Sequence, residues 1–436
     1  MGGAVVGAYA LSTPSSASAI AVETDLAKRD PHATSSAGSV FRMLADLENR
    51  ARSGMSTQTI IGQHVELQNE LYNGEYGDYR GVKPPGYYYR KAADITGRLP
   101  GFLEVDLGPG YGEQGWGVGR SRTYSRAAWP TCRPGWSYTD DVVDLAVGVW
   151  RGLPRPADGS YNPSGTEPRC DGSASALPGN GGAPAGLVGM SFHQPWPGSP
   201  TKAYAQTLRS NSPAAHDAHW IERVLTPGTT EHQALIQDLS FLADHLTYLA
   251  SCDVPVLLRP FHEMNAIDTK TGFWWTAADA QQYRRLWGMA YDYLVGSRGL
   301  HNLLFTWAPL AWDGVGGRDP WDYYPGDGMV DLVGVDDYSD SPNHPFQGGT
   351  WTAKWYKDLA RYRKPRVLAE SFYVPLSKAQ SKTLDHSPWV MWTVWGQALT
   401  ANNSSPDVKQ SYASARVLTG GRGSDVIALL RSPHGT

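Results

Sequence analysis

The chain has 436 residues, 41% hydrophobic and 18% charged, with a formal net charge of −4. That composition can bury a large core and excludes a disordered or collagen-like chain. With no long basic run it offers nothing to a nucleic acid or an acidic membrane, so neither is expected as a partner.

The first 37 residues read as a leader. A short apolar stretch is followed by small residues, and "ASA" at 17–19 resembles a signal-peptidase site, although the usual basic start is missing. Lys28-Arg29 offers a processing site. No later segment is long and apolar enough to span a membrane, so the expectation is a secreted, extracellular protein whose folded part is a single domain over 38–436.

After the leader, "SVFRMLADLENRARSG" spaces its apolar residues as a helix and ends in Gly. Eight short apolar runs follow: "TIIGQH" (59–64), "GFLEVDLG" (101–108), "GLVGMSFHQP" (186–195), "VPVLLRPFHE" (254–263), "NLLFTWAP" (302–309), "VDLVGVDDY" (330–338), "PRVLAES" (365–371) and "PWVMWTVWG" (388–396). Helical patterns at 232–250, 279–297 and 352–363 separate several of them. Continuous apolar strands alternating with amphipathic helices predict parallel strands buried on both faces, and eight such units close a (β/α)₈ barrel. An open doubly wound sheet would need a Gly-rich turn after its first strand, and "GQHVEL" is not one.

Residues 109–185 are rich in Gly, Pro and Ser and read as a long loop over the barrel mouth. Two of the three cysteines, Cys132 and Cys170, lie in it and are expected to close it as a disulfide once secreted; Cys252 precedes a buried run and reads as a free core thiol. The C-terminal tail reads as a last helix plus closing residues.

In such a barrel the C-terminal strand ends surround the site. Here they carry His64, Asp106, His193, Arg259, His262, Glu263, Trp307, Asp337, Tyr338, Glu370, Trp392 and Trp395. Glu263 and Glu370 matter most. Glycosidic bond cleavage needs one protonated carboxyl to assist the leaving oxygen and one carboxylate as nucleophile or base. Arg259, His262 and Tyr338 could hold Glu370 ionised; the nearby anion and the apolar "GFWW" could keep Glu263 protonated. The bland alternatives are an Arg259–Glu263 ion pair and a strand-end cap at Glu370. A zinc protease would need a second His four residues after His262, where Ala266 stands, and "GMSFH" lacks the spacing of a serine-hydrolase elbow. The 17 Trp and 23 Tyr against 9 Phe supply rings suited either to the core or to sugar faces; Trp116, Trp196, Trp274 and Trp312 are candidate platforms.

These stretches resemble glycoside hydrolase family 26, the β-mannanase family of (β/α)₈ barrels. The matching residues are "RPFHEMN" with a following "FWW", "TWAPL", "YYPGDGMVDLVGVDDY" and "RVLAES". The resemblance implies Glu263 as general acid/base and Glu370 as nucleophile of a retaining endo-β-1,4-mannanase. It further implies that His262 and Tyr338 orient Glu370, that His193 contacts the sugar at the cleavage point, that Arg259 organises the base of the site and that Trp395 floors it. It implies a mannan or galactomannan substrate, a monomer, and no metal or other cofactor. The chain departs from the family by inserting residues in "AIDTKTGFWW", with Gly272 where a Trp would stand. Activity on β-1,3-xylan or mixed-linkage β-glucan, or sugar binding without catalysis, are the alternative expectations.

Overall fold

The computed structural model describes residues 30–65, 86–107, 138–151, 184–200, 204–268, 272–311, 318–338, 350–377, 380, 383–421 and 423–431. Trp116, Cys132, Cys170 and Trp312 lie outside them, as do most of the long 109–185 segment and residues 1–29.

Eight parallel strands close a barrel: β1 (Thr59–His64), β2 (Phe102–Asp106), β3 (Leu187–Phe192), β4 (Val256–Pro260), β5 (Leu303–Trp307), β6 (Leu332–Asp336), β7 (Arg366–Glu370) and β8 (Met391–Val394). Each pairs with the next, and β8 returns to β1 through Ile60↔Met391 to Gln63↔Val394. All eight coincide with the apolar runs of the sequence, trimmed at their ends. The tail differs from expectation. It adds a strand, Val417–Gly420, parallel to the start of β1, before its helix Asp425–Arg431, and Leu99–Pro100 pairs antiparallel on that strand.

The strands alternate between two cores. Ile60, Phe102, Leu187, Leu257, Leu304, Leu332, Val367 and Met391 belong to an inner cluster. Their immediate neighbours Ile61, Leu103, Val188, Leu258, Phe305, Val333, Leu368 and Trp392 belong to the outer one, packed under the helices. This is the period of two that a strand imposes. Within the barrel the Phe102 ring fills the space over two glycines: a Cβ at Gly189 would sit 2.2 Å from Phe102 Cζ, and one at Gly62 would sit 2.6 Å from Cδ1. Larger residues there would displace the ring.

The inner cluster also contains Val40, Phe41, Leu44 and Leu47 of the first helix, α1 (Ser35–Arg52), which plugs the end of the barrel where the strands begin. Thr34 caps it, accepting from the Ala37 amide at 3.2 Å. Full burial of each of those side chains stabilises by roughly 1.5–3 kcal/mol. Glu48 of α1, wholly buried, accepts from Arg366 Nε and Arg52 Nε, both at 2.7 Å, and Arg366 lies over the Tyr356 ring at 3.5 Å. Asp30 pairs with His301, and the Thr34 amide donates to the His301 carbonyl. The folded body therefore includes residues 30–37, which the sequence reading had given to the leader.

Outside the barrel, α2 (Tyr87–Thr96), α3 (Tyr138–Arg151), α4 (Thr230–Ser251), α5 (Ala280–Tyr291) and α6 (Thr350–Leu359) cover the strands. The expected helix over 279–297 is α5 followed by one π-type turn, Asp292–Ser297; α5 opens on a capping box between Asp279 and Gln282. At the end of α4, Cys252 is disulfide-bonded rather than a free thiol. Cys132 and Cys170, expected to pair with each other, lie outside the described residues.

Candidate active site

Counting in twos from the inner-core residues locates the side chains that face the barrel mouth. From Ile60 the count reaches His64, and from Phe102 it reaches Glu104 and Asp106. From Leu187 it reaches Ser191 and His193, and from Leu257, Arg259. From Leu332 it reaches Asp336, and from Met391, Trp395. Glu370 breaks this count, standing three residues after Val367. A bulge explains it: Val335 pairs with Leu368 but Asp336 pairs with Glu370, so β7 carries one extra residue, Ala369, and Glu370 is re-aimed inward beside Asp336.

Arg259 is the hub. Its Nε donates to Glu104 Oε1 at 2.9 Å, Nη1 to Asp336 Oδ2 at 2.9 Å and Nη2 to Glu370 Oε1 at 2.5 Å. These partners replace the Arg259–Glu263 ion pair that the sequence also allowed. Burial opposes its charge, but Asp336, Glu104 and Glu370 together hold the guanidinium well above its ordinary value. One cation cannot neutralise three buried carboxylates. Burial, reinforced by Glu370 and countered by Arg259, pushes Glu104 up to about 7, and burial pushes Asp336 well above the usual carboxylate range. The other Glu370 oxygen, Oε2, accepts from the Tyr338 hydroxyl.

Glu263 sits just past β4 with its side chain partly exposed and its backbone in the left-handed region, φ 55°. Loss of water and then the charge of Glu370 push its carboxyl up to about 8, against the pull of Arg259. It is an acid that keeps its proton at neutral pH, within electrostatic reach of Glu370, whose two oxygens both accept hydrogen bonds.

A second polar row lies beside this pair. Asp106 Oδ2 accepts from Ser191 Oγ at 2.8 Å and from the His193 amide at 3.2 Å, and it meets His193 Nδ1 at 2.5 Å. Burial raises the Asp106 carboxyl, but His193, His64 and the Ser191 hydroxyl outweigh it and hold it low. Burial and then Arg259 depress His262 and His64 well below the usual imidazole range, so both are neutral. With His193 Nδ1 donating to Asp106, the 3.2 Å contact between the Nε2 atoms of His262 and His193 has His262 donate when His193 is neutral. His64 stacks on Trp395, centroids 4.1 Å apart at 13°.

Glu263, Glu370, Arg259, His262, His193, Tyr338, His64, Asp106 and Trp395 are thus brought together. Others are not. Trp274 is fully buried with its Nε1 on the Gln194 carbonyl, so it is core and not a sugar platform. Trp307 and Trp392 are also core, and Asp337 contributes its amide to the Glu370 carbonyl. Trp196 is half-buried and donates to Gln206 Oε1 at 2.8 Å, with its ring edge-on to Trp220. The ring that faces the imidazoles is Phe273, 5.1 Å from both His193 and His262. Glu104, Asp336 and Phe273 were missed in the sequence. Alternation within "FLEVD" and "LVGVD" was the signal for the first two; Phe273 had none.

His262, Asp336 and Glu370 could each offer one ligand atom to a cation, within 4.8 Å of one another. Arg259 already bonds both carboxylates, so the chain supplies its own positive charge at that point.

The sequence profile of Glycosyl hydrolase family 26 matches residues 155–398, more than half of the chain. A mannan endo-1,4-β-mannosidase of Thermothelomyces thermophilus is 29% identical over 243 residues, covering 54% of this chain and 43% of that protein. One from Bacillus subtilis is 33% identical over 195 residues, covering 43% of this chain and 47% of that protein. The matches thus span less than half the length of these relatives. Among solved structures, a β-mannanase from a symbiotic protist of the termite Reticulitermes speratus superposes with a TM-score of 0.61 at 21% identity, covering 92% of this chain and 97% of that one. At that identity the likeness shows the (β/α)₈ fold alone.

Proposed function

Because the chain belongs to glycosyl hydrolase family 26, we propose that it is a secreted, retaining endo-β-1,4-mannanase acting on mannan or galactomannan. One observation carries the reading: Glu370 accepts from Arg259 and Tyr338 at its two oxygens, and Glu263, close enough to feel its charge, has its carboxyl pushed up to about 8. In the first step Glu370 attacks the anomeric carbon while Glu263 gives its proton to the departing glycosidic oxygen. Glu263, now ionised, then takes a proton from water, whose oxygen attacks the same carbon and releases Glu370. No step calls on a metal or organic cofactor.

The remaining residues orient and bind. Arg259 and Tyr338 fix the attacking carboxylate. His193 and the His64-backed Trp395 line the position of the reacting sugar, and neutral His262 braces His193. The similar mannan endo-1,4-β-mannosidases support mannan as the substrate class. The disulfide at Cys252 supports an oxidising, extracellular setting.

The test is hydrolysis of linear mannan, galactomannan, β-1,3-xylan and mixed-linkage β-glucan by the parent and by Glu370→Ala and Glu263→Ala, with the product anomer followed by NMR. Mannan cleavage with retention, abolished in Glu370→Ala, is expected. Full activity in that variant, or binding without turnover in the parent, overturns the reading; product release from another glycan alone redirects it to that substrate.

A further inference from the structure

The acid stands in an unfavourable backbone conformation that its neighbours must enforce. Phe261 and Glu263 both have positive φ, 48° and 55°, which non-glycine residues adopt only when surroundings over-determine them. The carbonyls of the segment are tied one by one. Phe261 accepts from the Tyr283 hydroxyl at 3.0 Å, His262 from Trp275 Nε1 at 2.7 Å and Glu263 from the Ala266 amide at 3.0 Å.

Asn265 closes this frame. It is wholly buried, two residues after the acid. Its Oδ1 accepts from the Leu310 amide at 2.9 Å and its Nδ2 donates to the Leu310 carbonyl at 3.0 Å. The side chain therefore pairs with Leu310 as a neighbouring strand would. Its own carbonyl accepts from the Arg318 amide at 2.8 Å. On the far side, Leu310 bridges to Asp336, and the Asp337 amide donates to the Glu370 carbonyl. The Ala311 amide donates to the Asp336 carbonyl at 2.9 Å and the Asp336 amide to the Pro309 carbonyl at 3.0 Å, so Asn265 holds the middle residue of a segment whose two neighbours are bonded to the strand end beside Glu370.

We infer that Asn265 is a positioning residue: its carboxamide sets the place of the Glu263 carboxyl relative to Glu370. The inference rests on Glu263 being the acid. A misplacement of about 1 Å can cost about 10²-fold in rate, and the loss should fall on the step that needs the proton.

The experiment compares kcat/KM on mannan with kcat/KM on a 2,4-dinitrophenyl β-mannoside or manno-oligoside, whose leaving group needs no protonation. Asn265→Ala is expected to lose about 10²-fold on mannan and less than about tenfold on the activated substrate. Glu263→Ala shows the same split more strongly. Asn265→Asp, of the same shape and lacking both Nδ2 donors, covers the case in which the alanine variant does not fold. Equal losses on both substrates with a lowered Tm would mean a merely structural Asn265. No loss on either would remove it from the site. An even loss, or none, in Glu263→Ala would instead overturn Glu263 as the acid, so the two failures are told apart.

Discussion

Arg259 Nη2 and Glu370 Oε1 meet at 2.5 Å, while the guanidinium is pinned at its other two edges by Glu104 and Asp336. Glu370, the nucleophile of the proposed mechanism, is thus oriented by a planar group that cannot rotate without breaking two further hydrogen bonds. Lysine offers one point charge in place of this fork. Arg259→Lys is expected to lower kcat by about 10²–10³-fold with KM little changed. Steady-state kinetics within tenfold of the parent would discard this role.

On the proposed mechanism Glu263 must carry its proton for the first step, and it is pushed up to about 8. The rate should therefore hold through neutral pH and fall as pH rises through about 8. A profile of kcat/KM on mannan checks it. On a dinitrophenyl glycoside the alkaline fall should weaken, because that leaving group departs unprotonated. An alkaline limb below pH 6 on mannan would contradict the assignment.

Glu104 is pushed up to about 7 from an ordinary 4.5, so the folded protein keeps a proton that the unfolded chain has lost. With more protons bound in the folded state between those values, stability falls as pH rises through the window. The contribution is fully present below about pH 4.5 and gone above about 7. Glu104→Gln cannot titrate, so its Tm should decline less steeply from pH 5 to 7 than that of the parent. Parallel Tm curves would show that Glu104 does not hold the extra proton.

Two tryptophans should separate by readout. Trp274 is fully buried and hydrogen-bonded to Gln194, so Trp274→Ala should cost about 3–5 kcal/mol of stability. Trp395 is half-buried on His64, so Trp395→Ala should leave Tm nearly unchanged and raise KM on mannan at least tenfold. Thermal melts and kinetics on both variants decide it; the reverse pattern would exchange their roles.

Much of this arrangement was legible because strands repeat every two residues. The "TIIGQH" run coincides with β1, and its ends point His64 to the mouth once Ile60 is known to face inward. The same count inside "FLEVD" finds Glu104 and Asp106. Sequence reading stopped at the last polar residue of each run, and so took Asp337 where Asp336 bonds Arg259. It could not see the bulge at Val335/Asp336, since an extra residue in one strand is defined only against its partner. Nor could it tell Trp274 from Phe273: adjacent residues on a turn face opposite ways, and only packing decides which ring reaches the imidazoles. The free-thiol reading of Cys252 failed for a similar reason, because a place before a buried run does not show whether a sulfur has a partner.

The plug formed by α1 has a practical consequence for handling the molecule. Thr34 and Ser36 bond to His301 and Asp253, which lie just ahead of β5 and β4, so the chain enters the described body at the base of the barrel. The candidate site, at the C-terminal strand ends, lies at the opposite pole. A solid support or fusion partner joined upstream of residue 30 therefore meets the described body at its base, away from the strand ends that carry Glu263 and Glu370.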